Sequence, residues 1–110
     1  MTRVWYQVRN LESARAFYTG KLGFIETYVA DEGWAKLERG DMKIALAEGE
    51  PQADAGVASI DVEDVKQEVE RLRAEEVDIG TVLELHDEVR VVDVFDPDGN
   101  RVQLVQQLRP

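Results

Sequence analysis

The sequence predicts an α+β fold built from two tandem β-α-β-β-β modules, at about residues 1–50 and 56–110 of one domain. Three observations carry this expectation. Helical periodicity occurs twice, each helix follows a short alternating strand, and the two units superpose at an offset close to half of the 110-residue chain. A chain of this length supplies one compact domain, and its 44% apolar and 33% charged residues suit a globular core and surface.

The first strand alternates Val4, Tyr6 and Val8 with Arg3, Trp5 and Gln7. Asn10 then fits a helix N-cap, because its side-chain oxygen can take an N–H left free in the first turn, and Glu12 suits the positive end of the helix. Leu11, Ala14, Phe17, Tyr18 and Leu22 share one face, and Gly20 and Gly23 stop the helix. Three strands follow at about 24–30, 33–39 and 42–47, with turns at Asp31–Gly33 and Gly40–Asp41. The segment Glu48–Ala55, containing Pro51, links the halves.

The second half repeats the pattern. Ala58, Ile60 and Val62 alternate with Val57, Ser59 and Asp61; Asp64 caps a helix with Gln67 in the capping-box position; Val65, Val69 and Leu72 form its apolar face. Strands are expected at about 79–85, 89–95 and 101–107. The first strand and helix match at an offset of 54 (Val4 on Ala58, Leu11 on Val65), the last strands at 58 (Ile44 on Val102, Leu46 on Leu104). Four extra residues therefore belong near Glu84–Glu88. Between the last two strands, Phe95-Asp96-Pro97-Asp98-Gly99-Asn100 reads as a tight turn: Pro97 presets the backbone and Gly99 supplies a left-handed position.

Composition removes several function classes. The chain has no cysteine, which excludes disulfide frameworks, zinc–thiolate sites and thiol nucleophiles, and its one histidine is His86. A net charge of −10 repels phosphate backbones and anionic lipid and favours cationic partners. Lys36, Arg39 and Lys43 are interleaved with acids, so no basic stripe exists for nucleic acid. No apolar run reaches the roughly 20 residues of a membrane helix, and no leader opens the chain. The expectation is a cytoplasmic protein without nucleic-acid or membrane partners.

Val8-Arg9-Asn10-Leu11, Ala16-Phe17-Tyr18, Lys21-Leu22-Gly23-Phe24 and Asp96-Pro97-Asp98-Gly99-Asn100-Arg101-Val102-Gln103-Leu104 together resemble the vicinal oxygen chelate superfamily, the glyoxalase, bleomycin-resistance and extradiol-dioxygenase group. The resemblance spans nearly the whole chain. It implies two modules whose mixed sheet curves into a cup with the helices outside, a ligand in that cup, and a homodimer. In the family's enzymes a divalent metal takes one ligand from the first strand and one from the last strand of each module. These positions fall here on Arg3, Ala45, Val57 and Gln103. Arginine cannot deprotonate to bind metal, alanine and valine carry no donor, and only Gln103 keeps a neutral oxygen. Shifting the register by two brings in Trp5, Gln7, Lys43, Ala47, Ser59 and Asp61, which does not rebuild the set. His86 lies with Asp87 and Glu88 in the extra loop, away from these positions. No metal and no cofactor are expected.

Strand alternation places Arg3, Trp5, Gln7, Trp34, Lys36, Glu38, Lys43, Ala45, Val57, Ser59, Asp61, Arg101, Gln103 and Val105 toward the cup. Trp5 and Trp34 offer flat apolar surfaces for a planar or cationic compound, unless they fill the cup or a subunit interface instead. Arg3, Ser59, Asp61 and Gln103 would fix polar groups around it. The leading expectation is metal-independent binding of a small, aromatic or cationic molecule, with no catalytic residue. The alternatives are a lyase, isomerase or dioxygenase, using a metal on Asp61, His86 and Gln103 or acid–base work by Glu38 or Asp61, and a scaffold whose cup is filled by its own side chains.

Overall fold

The computed structural model describes residues 3–52 and 56–108. In chain order the elements are β1 (Arg3–Val8), α1 (Leu11–Gly20), β2 (Ile25–Ala30), β3 (Trp34–Arg39), β4 (Met42–Glu48), β5 (Ala58–Asp61), α2 (Val65–Ala74), β6 (Asp78–Ile79), β7 (Leu83–Leu85), β8 (Val89–Phe95) and β9 (Arg101–Gln107). They make two mixed sheets, ordered β1-β4-β3-β2 and β5-β9-β8-β6, with β7 also paired to β8. In each sheet the first strand of the half runs parallel to the last, β1 beside β4 and β5 beside β9. The α+β expectation and its β-α-β-β-β repeat hold.

Both helices begin as their sequences require. Asn10 Oδ1 accepts from the Ser13 N–H at 2.8 Å, and Asp64 Oδ1 from the Gln67 N–H at 3.1 Å. A second cap repeats across the halves. The Leu11 N–H donates to Glu48 Oε2 at 3.1 Å, and the Val65 N–H to Gln106 Oε1 at 2.9 Å. Glu48 and Gln106 are related by the same 58-residue offset that relates the last strands, so the duplication extends to how each helix is seated. After α1, Gly23 adopts φ +72°, the Phe24 N–H reaches the Tyr18 carbonyl at 3.0 Å, and Leu22 is buried beyond the helix end.

Alternation decides which face of each strand enters the core. Val4, Tyr6, Val8, Ala35, Leu37, Ile44 and Leu46 of the first sheet join Ala58, Ile60, Val92, Val94, Val102 and Leu104 of the second in one buried cluster with the apolar faces of α1 and α2. Each buried Leu, Ile or Val contributes roughly 1.5–3 kcal/mol. A slip of one residue in any strand would reverse its faces, so this core also fixes the registers.

The structure departs from expectation after α2. The strand expected at 79–85 is two short pieces, Asp78–Ile79 and Leu83–Leu85, both paired to β8. Glu84–Glu88, where the extra residues are expected, covers the end of β7 and the β7–β8 hairpin turn, in which the Glu88 N–H bonds the Leu85 carbonyl at 2.9 Å. His86 and Asp87 there have φ 54° and 56°, the left-handed pair of a type I′ turn. The linker segment Glu48–Ala55 lies partly outside the described residues, which omit positions 53–55.

The Asp96–Asn100 turn has a larger role than its sequence announces. Gly99 takes φ +84°, as the turn demands. The Asp96 carboxylate is buried and accepts four hydrogen bonds: Oδ1 from the Asp98 and Asn100 N–H groups at 2.8 and 2.9 Å, Oδ2 from Asn100 Nδ2 at 2.9 Å and the Tyr18 hydroxyl at 2.8 Å. Asn100 Nδ2 also reaches the Gln7 carbonyl at 3.0 Å. Nearby, the Tyr6 hydroxyl donates to the Arg101 carbonyl and accepts from the Ala58 N–H. This network ties β1 and α1 to the second sheet. Burial pushes the Tyr6 hydroxyl up to about 12, and burial, then the Asp96 charge, raise Tyr18 further. On the opposite flank, Arg39 of β3 donates to the Leu22 carbonyl and pairs with Glu68 of α2 at 2.9 Å.

Candidate functional site

Each sheet has one face in the core and one open face. On the first sheet, cross-strand registers set the open side chains in rows. Trp5 pairs with Ala45, Ala45 with Lys36, and Lys36 with Tyr28. Along a neighbouring row Gln7 pairs with Ala47, Ala47 with Trp34, and Trp34 with Ala30. On the other side, Arg3 pairs with Lys43 and Lys43 with Glu38. The Arg3 side chain lies outside the described residues.

Three rings gather on this face. The Trp5 and Trp34 centroids are 6.1 Å apart at an interplanar angle of 30°, and those of Tyr28 and Trp34 are 5.2 Å apart at 49°. Ala45 permits this, since only a methyl group rises between Trp5 and Lys36, and it is fully covered. Trp5 and Tyr28 nevertheless remain about half exposed, at 49% and 51%. The two tryptophans named from sequence are therefore neighbours. Tyr28 lies outside the inward set, which takes no residue from β2, and that strand carries a register shift between Glu26 and Tyr28. The bulge brings Ile25 and Tyr28, three residues apart, to rows that simple alternation would not assign together.

The second sheet presents different chemistry at equivalent positions. Ser59 pairs with Gln103 and Gln103 with Asp93. Gln103 Nε2 lies 3.5 Å from Asp93 Oδ1, and Arg101 pairs with Asp93 at 3.6 Å. Asp61, beside Val105, is exposed. Ser59 and Gln103 thus meet, as do Trp5 and Trp34. Among the described residues no hydrogen bond, ion pair or ring contact joins the two groups.

Two depressions accompany these faces. One of about 570 Å³ lies between the β3–β4 turn and β5, lined by Asp41, Met42, Val57, Ser59 and Asp61 among others. The other, of about 340 Å³, lies on the open face of the first sheet and is lined by Tyr28, Lys36, Glu38 and Lys43 among others. Both fall in the size range of small-molecule sites.

The residues present do not fit the family's divalent metal. Ala45 is enclosed between Trp5 and Lys36, neither it nor Val57 carries a donor, and Gln103 turns its amide toward Asp93. The unorthodox set fares no better. His86 stands exposed in the β7–β8 turn, Asp61 and Gln103 lie on β5 and β9, and among the described residues no three His, Asp or Glu side chains converge. Glu38 is half-buried beside Lys43.

Comparison with known proteins agrees with this architecture. A search of curated protein sequences finds no match. Solved structures do match: an integron cassette protein from the mobile metagenome of the Halifax Harbour sewage outfall (20% identity, 96% of this chain and 97% of that one, TM-score 0.84); a lactoylglutathione lyase from Agrobacterium tumefaciens (19%, 96% and 92%, TM-score 0.79); and a bleomycin resistance determinant encoded on transposon Tn5 (19%, 97% and 97%, TM-score 0.77). At such identities they speak for the fold alone. The sequence model of the Glyoxalase/Bleomycin resistance protein/Dioxygenase superfamily matches residues 1–104, and the chain belongs to that family.

Proposed function

We propose that the protein is a metal-independent binding domain that sequesters a small planar or cationic compound against the open face of its first sheet. The observation that carries this reading is the Trp5–Trp34–Tyr28 cluster, three rings within about 6 Å of their neighbours, of which Trp5 and Tyr28 are half open to water. Large rings exposed together mark a surface that something covers. A resistance determinant and a lyase share the fold. Donorless Ala45 and Val57 favour binding over metal chemistry here. Ser59, Asp61, Gln103 and Arg3 would supply polar contacts where a second copy completes the cup. Exposed Ile25 and Val29 at one sheet edge and Leu83 and Leu85 at the other support a homodimer.

The test uses the two tryptophans as reporters. A neutral bicyclic ring such as quinoxaline, titrated into ¹⁵N-labelled protein, is expected to move both indole N–H resonances, equally with and without a chelator. Trp34→Ala is expected to abolish the effect while the far-ultraviolet circular dichroism stays unchanged. Unperturbed indole signals at solubility-limited ligand would sink the reading, and chelator-sensitive binding would remove its metal independence. Sedimentation equilibrium reads the dimer, and a monomer at all concentrations refutes it.

A further inference from the structure

The open face of the first sheet carries charge opposite to that of the protein as a whole. Lys36 Nζ lies 5.6 Å from the Trp34 centroid and 6.0 Å from that of Tyr28. Lys43 sits one row away, because Ala45 pairs with Lys36 while Lys43 pairs with Glu38. Every ion pair among the described residues uses an arginine, which leaves both lysines without a carboxylate partner. Lys36, Lys43, Tyr28 and Glu38 line the 340 Å³ depression together.

We infer that this depression takes a small planar carboxylate, an aromatic acid whose ring packs on Tyr28 at the side where Trp34 adjoins it and whose anionic group is held by Lys36 and Lys43. This rests on the aromatic-face reading above and, of the planar and cationic compounds that reading admits, selects a planar one with negative charge. The rings already hold a cation, the ammonium of Lys36. An incoming aromatic acid exchanges partners without loss: its ring takes the place of the ammonium on Tyr28 and Trp34, and the ammonium follows the carboxylate. An aromatic cation would displace Lys36 from the rings, give it nothing in return, and meet Lys43 as well, with Glu38 the one acid in the depression. The overall charge of −10 does not decide the matter, because charges farther than the Debye length of about 8–10 Å are largely screened at ordinary salt. Among the residues that line the depression, two lysines stand against one acid, Glu38.

Three compounds with one ring separate the charge question from the ring question: benzoate, benzylammonium and benzyl alcohol. Each is titrated into the ¹⁵N-labelled 110-residue chain with the Trp5 and Trp34 indole N–H signals as readout. Benzoate is expected to bind about tenfold more tightly than benzylammonium, the scale of a charge-assisted contact. Lys36→Met and Lys43→Met should each weaken benzoate several-fold and leave benzyl alcohol unchanged, with unaltered spectra confirming that the variants fold. Equal affinities, or a preference for benzylammonium, would overturn the inference while the aromatic-face reading stands. If none of the three moves either indole signal, both fall.

Discussion

Replacing Tyr18 by phenylalanine removes one atom from the contact between α1 and the Asp96 turn. In the native protein the Tyr18 hydroxyl donates to Asp96 Oδ2 at 2.8 Å, in a site where tyrosine and carboxylate are both buried. A hydrogen bond to a charged group contributes about 1.5–3 kcal/mol. Asp96 would keep three donors, the Asp98 and Asn100 N–H groups and Asn100 Nδ2, so its charge is not abandoned. The expected loss is therefore at the lower end, about 1.5–2 kcal/mol, and the phenyl ring keeps its edge contacts with Phe17 and Phe24. Urea unfolding followed by circular dichroism would read it as a lower midpoint at unchanged slope. A double-mutant cycle with Asp96→Asn should give a coupling of at least about 0.5 kcal/mol, because the two groups touch. A Tyr18→Phe protein within about 0.5 kcal/mol of the parent, the range of an ordinary surface change, would refute the view that this bond holds the halves together.

Three further outcomes follow from the same contacts. Tyr6 and Tyr18 have folded-state pKa values above the ordinary value near 10, so the unfolded chain releases those protons first. Their contribution is full below about pH 10 and falls as pH rises above it, through about 12 for Tyr6 and further still for Tyr18, and alkaline unfolding should coincide with the late part of the tyrosinate absorbance titration; early ionisation in the folded state would contradict it. Burial raises the Glu68 carboxyl, but hydrogen bonds and charge from Arg39 and then Arg71 outweigh it and leave its pKa lowered. That stabilisation is present above the unfolded-state value near 4.5 and fades as pH falls through the folded one, so Glu68→Gln should lose about 1 kcal/mol at neutral pH and progressively less in acid, measured by urea midpoints. Gly99→Ala should destabilise by roughly 1 kcal/mol through backbone strain alone, because φ is +84° and nothing lies within 4 Å of an added Cβ; a neutral thermal shift would show that the turn relaxes.

Much of the fold was legible in local pattern. Caps, turns and alternation are properties of neighbouring residues, and Asn10, Asp64 and Gly99 behave as their types require. β8 and β9 span the residues expected of them, since each alternates cleanly against a buried face. The 79–85 stretch misled because Gly80, Thr81 and Val82 hide a break inside an apolar-looking run, and a two-residue left-handed turn needs no glycine when Asp87 supplies one of its positions. Of the candidate site, Trp5, Trp34, Ser59 and Gln103 could be sorted to open faces by parity. Tyr28 could not, because a bulge shifts parity where no residue type announces it.

The sequence by itself determined the duplicated plan, the core faces and the absence of donor side chains at Ala45 and Val57, because side-chain chemistry and strand period are local. Tertiary structure alone decided that Asp96 is a buried junction receiving Tyr18 from 78 residues away, and that Trp5, Trp34 and Tyr28 from three strands form one surface topped by Lys36. Those contacts depend on which strands become neighbours and in what register, and that is set by packing both sheets and both helices into a single core.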